Sequence, residues 1–243
     1  MPGLESGPVA GRVIAVIPAR GGSKGLPGKN LARIGDMPLV CRAVRAALAA
    51  GAVDAVYVST DDPEIAAAAR DCGAAVIERP AAISGDTASS EAALLHALDA
   101  AETADGPVAA LAFLQCTSPF TEGAHVDAVL APVLAGMAEA AFSAAPTHAF
   151  LWRVGPDGLA RGVNHDDAAP RQRRQDRPPE YVETGAIYAM RADAFRAKGQ
   201  RFCGRTRLVA IDAPAVEIDD AADLAVARAL WAARTRGDAT PQS

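Results

Sequence analysis

The stretch that decides the fold is RVIAVIPARGGSKGLPGKN, residues 12–30. Its apolar run Val13–Ile17 is too short for a helix and predicts a buried β-strand. A glycine-rich loop follows at once, to which Arg20, Lys24 and Lys29 add three cations. Glycine lets the backbone turn tightly and point N–H groups at an anion. The stretch therefore predicts a first strand that ends in an anion-binding loop, and a triphosphate would suit that loop.

Two common phosphate-binding motifs do not match this loop. The P-loop pattern needs Ser or Thr directly after its lysine, whereas Asn30 follows Lys29. The dinucleotide pattern G-x-G-x-x-G is absent from the loop as well. A flexible glycine-rich surface turn is the alternative interpretation, but the position of the whole string after a first strand favours a binding loop.

Short apolar runs alternate with longer alanine-rich stretches outward from this loop. Asp62 followed by Pro63 is typical of a helix start, Asp86 is predicted to cap the next helix, and a last helix is predicted from about Asp220. The alternation predicts βαβ units in an α/β fold with a doubly wound, mostly parallel sheet. Further strands are predicted at Ala55–Val58, Ala74–Ile77, Val108–Leu114, Phe142–Ala145, Ala149–Val154, Ala186–Met190 and Leu208–Ile211.

The chain of 243 residues is long enough for one large domain, which we predict over residues 12–233. Residues 1–11 and 234–243 are rich in Gly, Pro, Ser and charge and are expected to be flexible ends. After about residue 140 the pattern changes, and a polar, arginine-rich stretch runs from Asn164 to Glu183. We interpret residues 146–184 as an inserted arm.

Composition excludes several classes of protein. Lys+Arg 24 against Asp+Glu 29 gives a formal net charge of −5, which argues against binding to nucleic acid or anionic lipid through overall charge. Four separated cysteines, without a C-x-x-C pair, predict neither a disulfide framework nor a zinc ribbon. The sequence shows no leader pattern and no apolar run long enough to span a bilayer. A soluble, cytoplasmic protein without nucleic-acid or membrane partners is therefore expected.

The string IPARGGSKGLPGKN, residues 17–30, resembles the signature loop of the CMP-sialic acid synthetase (acylneuraminate cytidylyltransferase) family. The resemblance covers nearly the whole predicted domain, and it implies a Rossmann-like nucleotidyltransferase fold with a small dimerisation arm. The other stretches that resemble family motifs, in the same order, are STDDPEI (59–65), RPAAISGDTASSEAALLHAL (79–98), LQCTSPF (114–120), RRQDRPPEYVETGAIY (173–188) and EIDDAADL (217–224).

The resemblance implies transfer of CMP from CTP to the anomeric hydroxyl of a nine-carbon 2-keto-3-deoxy sugar acid, with release of pyrophosphate. Such a transfer requires positioned reactants and neutralised charge on the phosphate oxygens. On the family pattern Arg20 and Lys29 face the triphosphate and, with Asp219, are the candidate catalytic residues. Lys24 is either a third contact or a solvated lysine. The general base stays open between metal-bound hydroxide and a carboxylate such as Asp219.

The reaction implied by the resemblance needs a divalent metal, Mg²⁺ or alternatively Mn²⁺, to bridge phosphate oxygens. Glu217 and Asp219 are two residues apart, and on an extended segment such carboxylates point the same way. The family usually has Asp where Glu217 stands, so Asp219 is the stronger candidate ligand. Asp220 and Asp223 are interpreted as the cap and first-turn carboxylates of the last helix.

The resemblance also implies two sets of binding residues and a homodimer with exchanged arms. The alternative role of Asp86, Ser89 and Ser90 is to cap a helix. The alternative for the arginines near residue 174 is that they belong to a solvated polar arm. The nucleotide is expected to contact Ala19, Arg20, Gly21, Gly22, Ser23, Lys29, Asn30, Asp86, Ser89 and Ser90. The sugar acid is expected to contact Gln115, Thr117, Ser118, Arg174, Gln175, Tyr181, Thr184 and Gly185.

Departures from the family pattern bear on the substrate. Thr184 replaces the usual Asn of ENGAIY and so removes an amide, which favours a substrate with a different group at carbon five, such as the deaminated nonulosonate. Thr117 and Ser118 lie in a motif where synthetases for the eight-carbon acid KDO carry a metal-binding Asp, which disfavours KDO. The alternatives are KDO or another sugar acid as substrate, or a nucleotide-binding domain without catalysis.

Overall fold

The computed structural model of this chain describes residues 7–22 and 25–236. Of the expected site residues, Ser23 lies outside the described residues, as does Lys24. The strands are β1 (Arg12–Pro18), β2 (Arg33–Ile34), β3 (Met37–Pro38), β4 (Ala55–Thr60), β5 (Ala75–Glu78), β6 (Val108–Leu114), β7 (Ala140–Thr147), β8 (Trp152–Val154), β9 (Ala160–Gly162), β10 (Glu180–Arg191) and β11 (Thr206–Ala210). The α-helices are α1 (Leu39–Leu48), α2 (Pro63–Asp71), α3 (Ser90–Asp105), α4 (Gly123–Leu134), α5 (Ala192–Lys198) and α6 (Ala221–Thr235).

Seven strands form one sheet in the order β11-β7-β10-β6-β1-β4-β5. Its strands run parallel except β10, which is antiparallel to both β6 and β7. The predicted α/β fold with a mostly parallel sheet is thereby confirmed. β1 lies between β4 and β6. The chain continues from β1 to β4 on one side, and β6 later pairs with the other side of β1. In doubly wound sheets the crevice at such a point, beyond the carboxyl ends of the strands, is where ligands bind.

Both faces of the sheet are covered, which explains why the apolar runs do not alternate with polar residues. Along β1 the side chains of Val13, Ala15 and Ile17 pack beneath α1, α2, α4 and α6. The side chains of Ile14 and Val16 pack on the opposite face beneath α3 and α5. Strand β1 is therefore buried on both sides, and its end is held rigidly at the centre of the molecule.

The predicted helix starts are correct at two of three positions. The Asp62 carboxylate accepts hydrogen bonds from the N–H groups of Glu64 and Ile65 at 2.8 and 3.1 Å, and Asp220 caps α6 in the same way. The prediction that Asp86 caps α3 is wrong, because the Ser89 hydroxyl accepts the hydrogen bond from the Ala92 N–H at 3.2 Å. The Asp86 carboxylate instead accepts a hydrogen bond from Arg20.

The expectation that the cysteines form no disulfide is corrected by the structure. Cys41 of α1 and Cys72 at the end of α2 are joined by a disulfide across 31 positions of the chain, while Cys116 and Cys203 are free and buried. The pairing arises because the crossover from β1 to β4 lays α1 beside α2, which spacing along the chain does not reveal. The cysteines therefore no longer support the expectation of a cytoplasmic protein.

Residues 148–179 connect β7 to β10 and carry the small sheet β8–β9. The strand predicted at Ala149–Val154 is shorter than expected, and the strand predicted at Ala186–Met190 is longer, because β10 extends back to Glu180 to pair with β7. In this connection the ring of Phe150 lies between the guanidinium groups of Arg171 and Arg177, at 4.0 and 4.1 Å. None of the described helices is both long and apolar enough to cross a membrane.

Candidate active site

The glycine-rich loop after β1 is held against the end of the neighbouring strand β4 and by a bond within the loop. The Gly21 N–H donates to the Asp61 carboxylate at 3.0 Å, and the Asn30 amide donates to the Arg20 carbonyl at 2.9 Å. A Cβ on Gly21 would come within 2.6 Å of an Asp62 oxygen, so this close approach requires glycine. These contacts fix the predicted anion-binding loop at the carboxyl end of β1, beside Ala19, whose N–H bonds to the carbonyl of Ser59.

The two cations at opposite ends of the loop face different segments. Arg20 Nη1 donates to the Gly85 carbonyl at 3.0 Å and to Asp86 Oδ1 at 3.1 Å. Lys29 Nζ lies 3.1 Å from Asp219 Oδ1. The loop therefore meets the 85–90 segment on one side and the acidic segment near residue 219 on the other.

The acidic segment fits against the loop and against the end of β6. Ile218 is fully buried and its N–H bonds to the Thr117 carbonyl at 2.9 Å, so its neighbours Glu217 and Asp219 project to the other side, as expected from their spacing. A Cβ on Gly25 would come within 2.3 Å of the Asp219 carbonyl, so loop and acidic segment pack closely. Asp220 and Asp223 form a capping box at the start of α6, which confirms their structural interpretation.

The Glu217 carboxyl is the group in this segment with a shifted pKa. Partial burial and the neighbouring charge of Asp219 raise its pKa, and together they outweigh the opposing effects of the Lys29 charge and the nearby Thr117 hydroxyl. A nearby divalent cation would favour the charged form of this carboxyl.

The end of β6 brings several expected sugar contacts next to the acidic segment. The Thr117 hydroxyl donates to the side-chain oxygen of Gln115 at 3.2 Å. Gly185, at φ +70° in β10, lies close to Glu217, since a Cβ added at this glycine would lie 3.4 Å from the carboxylate. Gln115, Thr117 and Gly185 thus share one neighbourhood with Glu217.

Two further expected sugar contacts, Ser118 and Thr184, differ in how their hydroxyl groups are used. The Ser118 hydroxyl is buried and has no hydrogen-bond partner among the described residues. The Thr184 hydroxyl lies 2.7 Å from the Ser143 hydroxyl and bonds to the Ser143 carbonyl at 3.1 Å. Thr184 therefore ties β10 to β7, a role that a sequence motif does not indicate.

The remaining expected sugar contacts, Arg174, Gln175 and Tyr181, belong to the connection between β7 and β10 and to the start of β10. Within the described part of the chain, none of their side chains makes a hydrogen bond or ion pair with the loop, with Gln115 or with the acidic segment.

Sequence reasoning missed Arg79, a buried arginine directly after β5. Its Nη2 bonds to the Ser59 carbonyl at 2.6 Å and its Nε to the Ser59 hydroxyl at 3.2 Å. Burial lowers the pKa of Arg79, opposed by the charge of Asp61 and aided by that of Arg20. Because Arg79 lies next to the loop, this edge of the sheet carries a third cationic side chain beside Arg20 and Lys29. The sequence did carry a signal for this residue, because Arg79 stands at the carboxyl end of a strand and begins the stretch 79–98 that resembles a family motif.

Cys116 lies in the same region but is suited to packing rather than chemistry. Complete burial raises the pKa of its thiol to about 12, despite the charges of Lys29 and Arg79. Because the thiolate is the reactive form of cysteine, the residue is inert near neutral pH. Cys116 therefore acts as a small apolar packing residue.

The assembled edge can bind a polyanion together with a cation. Arg20, Lys29 and Arg79 supply positive charge, and the turn of the loop supplies backbone N–H groups. Glu217 and Asp219 supply carboxylate oxygens, the donors preferred by Mg²⁺. No group of three or more His, Cys, Asp or Glu side chains able to hold a metal occurs in the described residues. Two carboxylates leave most ligand positions of such an ion to water and to oxygens of a bound ligand.

Comparisons with known proteins show the family to which the chain belongs. A family model described as cytidylyltransferase matches residues 14–234. N-acylneuraminate cytidylyltransferase A of Danio rerio is 33% identical over 179 residues, which are 72% of this chain and 40% of that protein. The chain thus spans well under half the length of this relative. A 3-deoxy-manno-octulosonate cytidylyltransferase of an Anaeromyxobacter species is 48% identical over 82 residues, 34% of each protein.

A solved structure, that of CMP:2-keto-3-deoxy-manno-octonic acid synthetase complexed with CTP, superposes on this chain with a TM-score of 0.70 at 24% identity. The match covers 92% of this chain and 100% of the other. This likeness concerns the fold, and it supports the sheet architecture described above.

Proposed function

We propose, from the premise that this chain belongs to the cytidylyltransferase family, that it transfers CMP from CTP to the anomeric hydroxyl of a nine-carbon 2-keto-3-deoxy sugar acid. The hydroxyl oxygen forms a bond to the α-phosphorus, the bond to the β-phosphate oxygen breaks, pyrophosphate leaves, and the hydroxyl proton is lost to a base. The observation that supports this proposal best is the cationic loop after β1, held face to face with the Glu217–Asp219 segment.

The loop residues are proposed to hold the nucleotide. Arg20 and Lys29 neutralise charge on the triphosphate, and this charge is what phosphoryl-type transfer requires the protein to stabilise. In the free protein these cations pair with Asp86 and Asp219, so a triphosphate exchanges one set of anionic partners for another. The other proposed contacts are Ala19, Gly21, Gly22, Asn30, Ser89 and Ser90.

Glu217 and Asp219 are proposed to hold Mg²⁺. Their two carboxylates on one side of the buried Ile218 fit an ion whose other ligands are water and phosphate oxygens. When bound, the ion neutralises charge on the phosphate oxygens. Lys29 Nζ donates a hydrogen bond to Asp219 Oδ1, and this contact links the cationic loop to the acidic segment.

The sugar acid is proposed to lie beside Gln115, Thr117, Ser118, Thr184 and Gly185. Arg174, Gln175 and Tyr181 are proposed to reach this pocket from the arm, residues 146–184, of a second copy of the chain. In one copy, no hydrogen bond or ion pair of the described residues joins the side chains of these three residues to the loop, to Gln115 or to the acidic segment. It also makes the homodimer part of the proposed active site.

The eight-carbon acid KDO is a second candidate substrate. The observation that favours it is the 48% identity over 82 residues to an octulosonate cytidylyltransferase. The Thr and Ser of LQCTSPF favour the nine-carbon acids instead.

The deciding experiment measures pyrophosphate release with CTP and Mg²⁺ over N-acetylneuraminate, deaminated neuraminate, legionaminate, pseudaminate and KDO. We expect turnover with at least one nine-carbon acid, loss of turnover when the acid is omitted, and weak turnover with UTP in place of CTP. Turnover with KDO alone would replace the proposed substrate class by the second candidate. CTP binding, seen as a raised melting temperature, without turnover of any acid would contradict the proposed activity.

A further inference from the structure

A cavity of about 350 Å³ opens between α1, the start of α4 and the end of α6. Its rings are Phe120 and Trp231, and its guanidinium groups belong to Arg42 and Arg45 of α1 and Arg234 of α6. We name it the α1–α6 cavity. Asp220 begins α6 and Trp231 lies eleven residues further on, about 16 Å along the helix. The cavity is therefore separate from the proposed nucleotide site, whose residues do not line it.

This part of the surface is basic although the whole protein is acidic. The net charge of the chain is −5, yet five arginines meet around the cavity and the β2–β3 hairpin: Arg33, Arg42, Arg45, Arg228 and Arg234. Two carboxylates lie near these arginines. The charge of Asp36 acts to raise the pKa of Arg42, and Glu122 Oε1 lies 3.5 Å from Arg234 Nη2. The local excess of positive charge favours an anionic ligand.

The Arg42 guanidinium lies over an aromatic ring and retains an unused donor. It lies 3.8 Å from the ring centroid of Trp231 and donates from Nη2 to the Ile34 carbonyl. Its Nε is buried without a hydrogen-bond partner in the part of the chain that the structure describes. Gly35, at φ +62°, allows this stack, because a Cβ there would lie 2.7 Å from Trp231 Nε1.

Arg45, one turn along α1, is exposed at the rim of the cavity. Its side chain makes no hydrogen bond or ion pair with the described residues. A guanidinium group presents a planar fork of donors that matches phosphate or carboxylate oxygens. Beside it, Trp231 and Phe120 offer apolar surface to a ring, and the cavity volume lies within the range of about 300–1,000 Å³ typical of small-molecule sites.

We propose that the α1–α6 cavity binds a small organic anion that carries a planar ring. Arg45 and Arg42 hold the phosphate or carboxylate group, and the ring packs against Trp231 and Phe120. This site is independent of the proposed cytidylyltransferase activity and exists whether or not that proposal is correct.

The chain itself provides a reporter for this site, because Trp152 and Trp231 are its two tryptophans. In a Trp152→Phe variant, Trp231 alone emits. We would titrate this variant with adenosine 5′-monophosphate as probe in the absence of CTP, because CTP is itself a ring-bearing anion that the cavity could take. Trp231 lines the cavity, so its emission reports on binding there. A saturable change in Trp231 emission is expected with the monophosphate, and at least tenfold weaker binding with adenosine or with ribose 5-phosphate.

Arg45→Gln in the same background is expected to weaken binding of the monophosphate at least tenfold, which corresponds to about 1.4 kcal/mol. Arg70→Gln is the matched control, since Arg70 is an exposed arginine on α2 outside the cavity. Thermal melting checks that both variants fold.

Three results would overturn the proposal. One is a Trp231 emission that does not change with millimolar monophosphate, and another is equal affinity in Arg45→Gln and Arg70→Gln. The third is that a glutamate-rich peptide binds this face of the folded protein while the monophosphate does not, which would assign the surface to a protein partner.

Discussion

Lys29 and Asp219 stand 190 positions apart in the chain, yet Nζ and Oδ1 lie 3.1 Å apart at the centre of the candidate site. The Asp219 side chain is 72% exposed, so water screens the pair and its contribution to folding is at most about 1 kcal/mol. An ion pair that adds so little stability, at the end of the central strand, is more readily explained by ligand binding than by folding.

Lys29→Ala is expected to lower kcat/KM for CTP by about 10²-fold or more, because it removes a cation that faces the triphosphate. The melting temperature is expected to change little, for the reason just given. Steady-state pyrophosphate release and thermal melting measure the two effects on the same preparation.

Lys198→Ala provides the matched control, since Lys198 is an exposed lysine at the end of α5. It should leave kcat/KM unchanged. A folded Lys29→Ala protein with normal turnover would remove Lys29 from the mechanism, and a large loss of melting temperature would show that the ion pair is structural.

Between elements, the disulfide joins α1 to the end of α2 and so links the two helices that follow β1 and β4. These helices cover the same face of the sheet. The two free thiols lie elsewhere in the core, and burial raises the pKa of Cys116 to about 12 and that of Cys203 to about 11. At neutral pH both are therefore protonated and shielded from solvent.

Thiol counting with a chromogenic disulfide reagent tests this arrangement. The native protein at pH 8 should react at close to zero thiols, because Cys116 and Cys203 are buried and protonated. Denaturation without reductant should release two thiols, and denaturation after reduction should release all four. Four thiols without reductant would show that Cys41 and Cys72 are unpaired in solution.

Considered as a whole molecule, one copy of the chain leaves apolar surface uncovered in the connection between β7 and β10. Trp152 and Val154 of β8 are 55% and 70% exposed, and Leu151, Leu159, Val163, Tyr181 and Val182 are exposed with them. Extended apolar patches of this kind commonly mark protein interfaces. They agree with the proposal that the arm packs against a second copy of the chain.

Light scattering coupled to size exclusion should therefore give twice the 24.9 kDa mass of one chain. Val154→Asp is expected to weaken the dimer and to lower turnover at low protein concentration, because a buried unpaired charge opposes the interface. Val226→Asp, at a valine of α6 that is 54% exposed, is the control and should remain dimeric. A wild-type monomer that turns over normally would contradict the exchanged arm.

Patterns among residues close together in the sequence were sufficient to predict much of this structure. The strand Val13–Ile17, its glycine-rich loop, the caps at Asp62 and Asp220 and the paired orientation of Glu217 and Asp219 each depend on residues a few positions apart. Backbone geometry links such residues directly, so their pattern alone predicts the local structure and the α/β fold.

Contacts between distant parts of the chain required the tertiary structure. The disulfide between Cys41 and Cys72, the burial of Arg79 and the antiparallel direction of β10 follow from which elements become neighbours in space. The wrong assignment of Asp86 as a cap has the same origin, because Arg20, 66 positions away, contacts its carboxylate. The sequence by itself determined the elements and their chemistry, and packing of the crossovers on the two faces of the sheet decided which side chains meet.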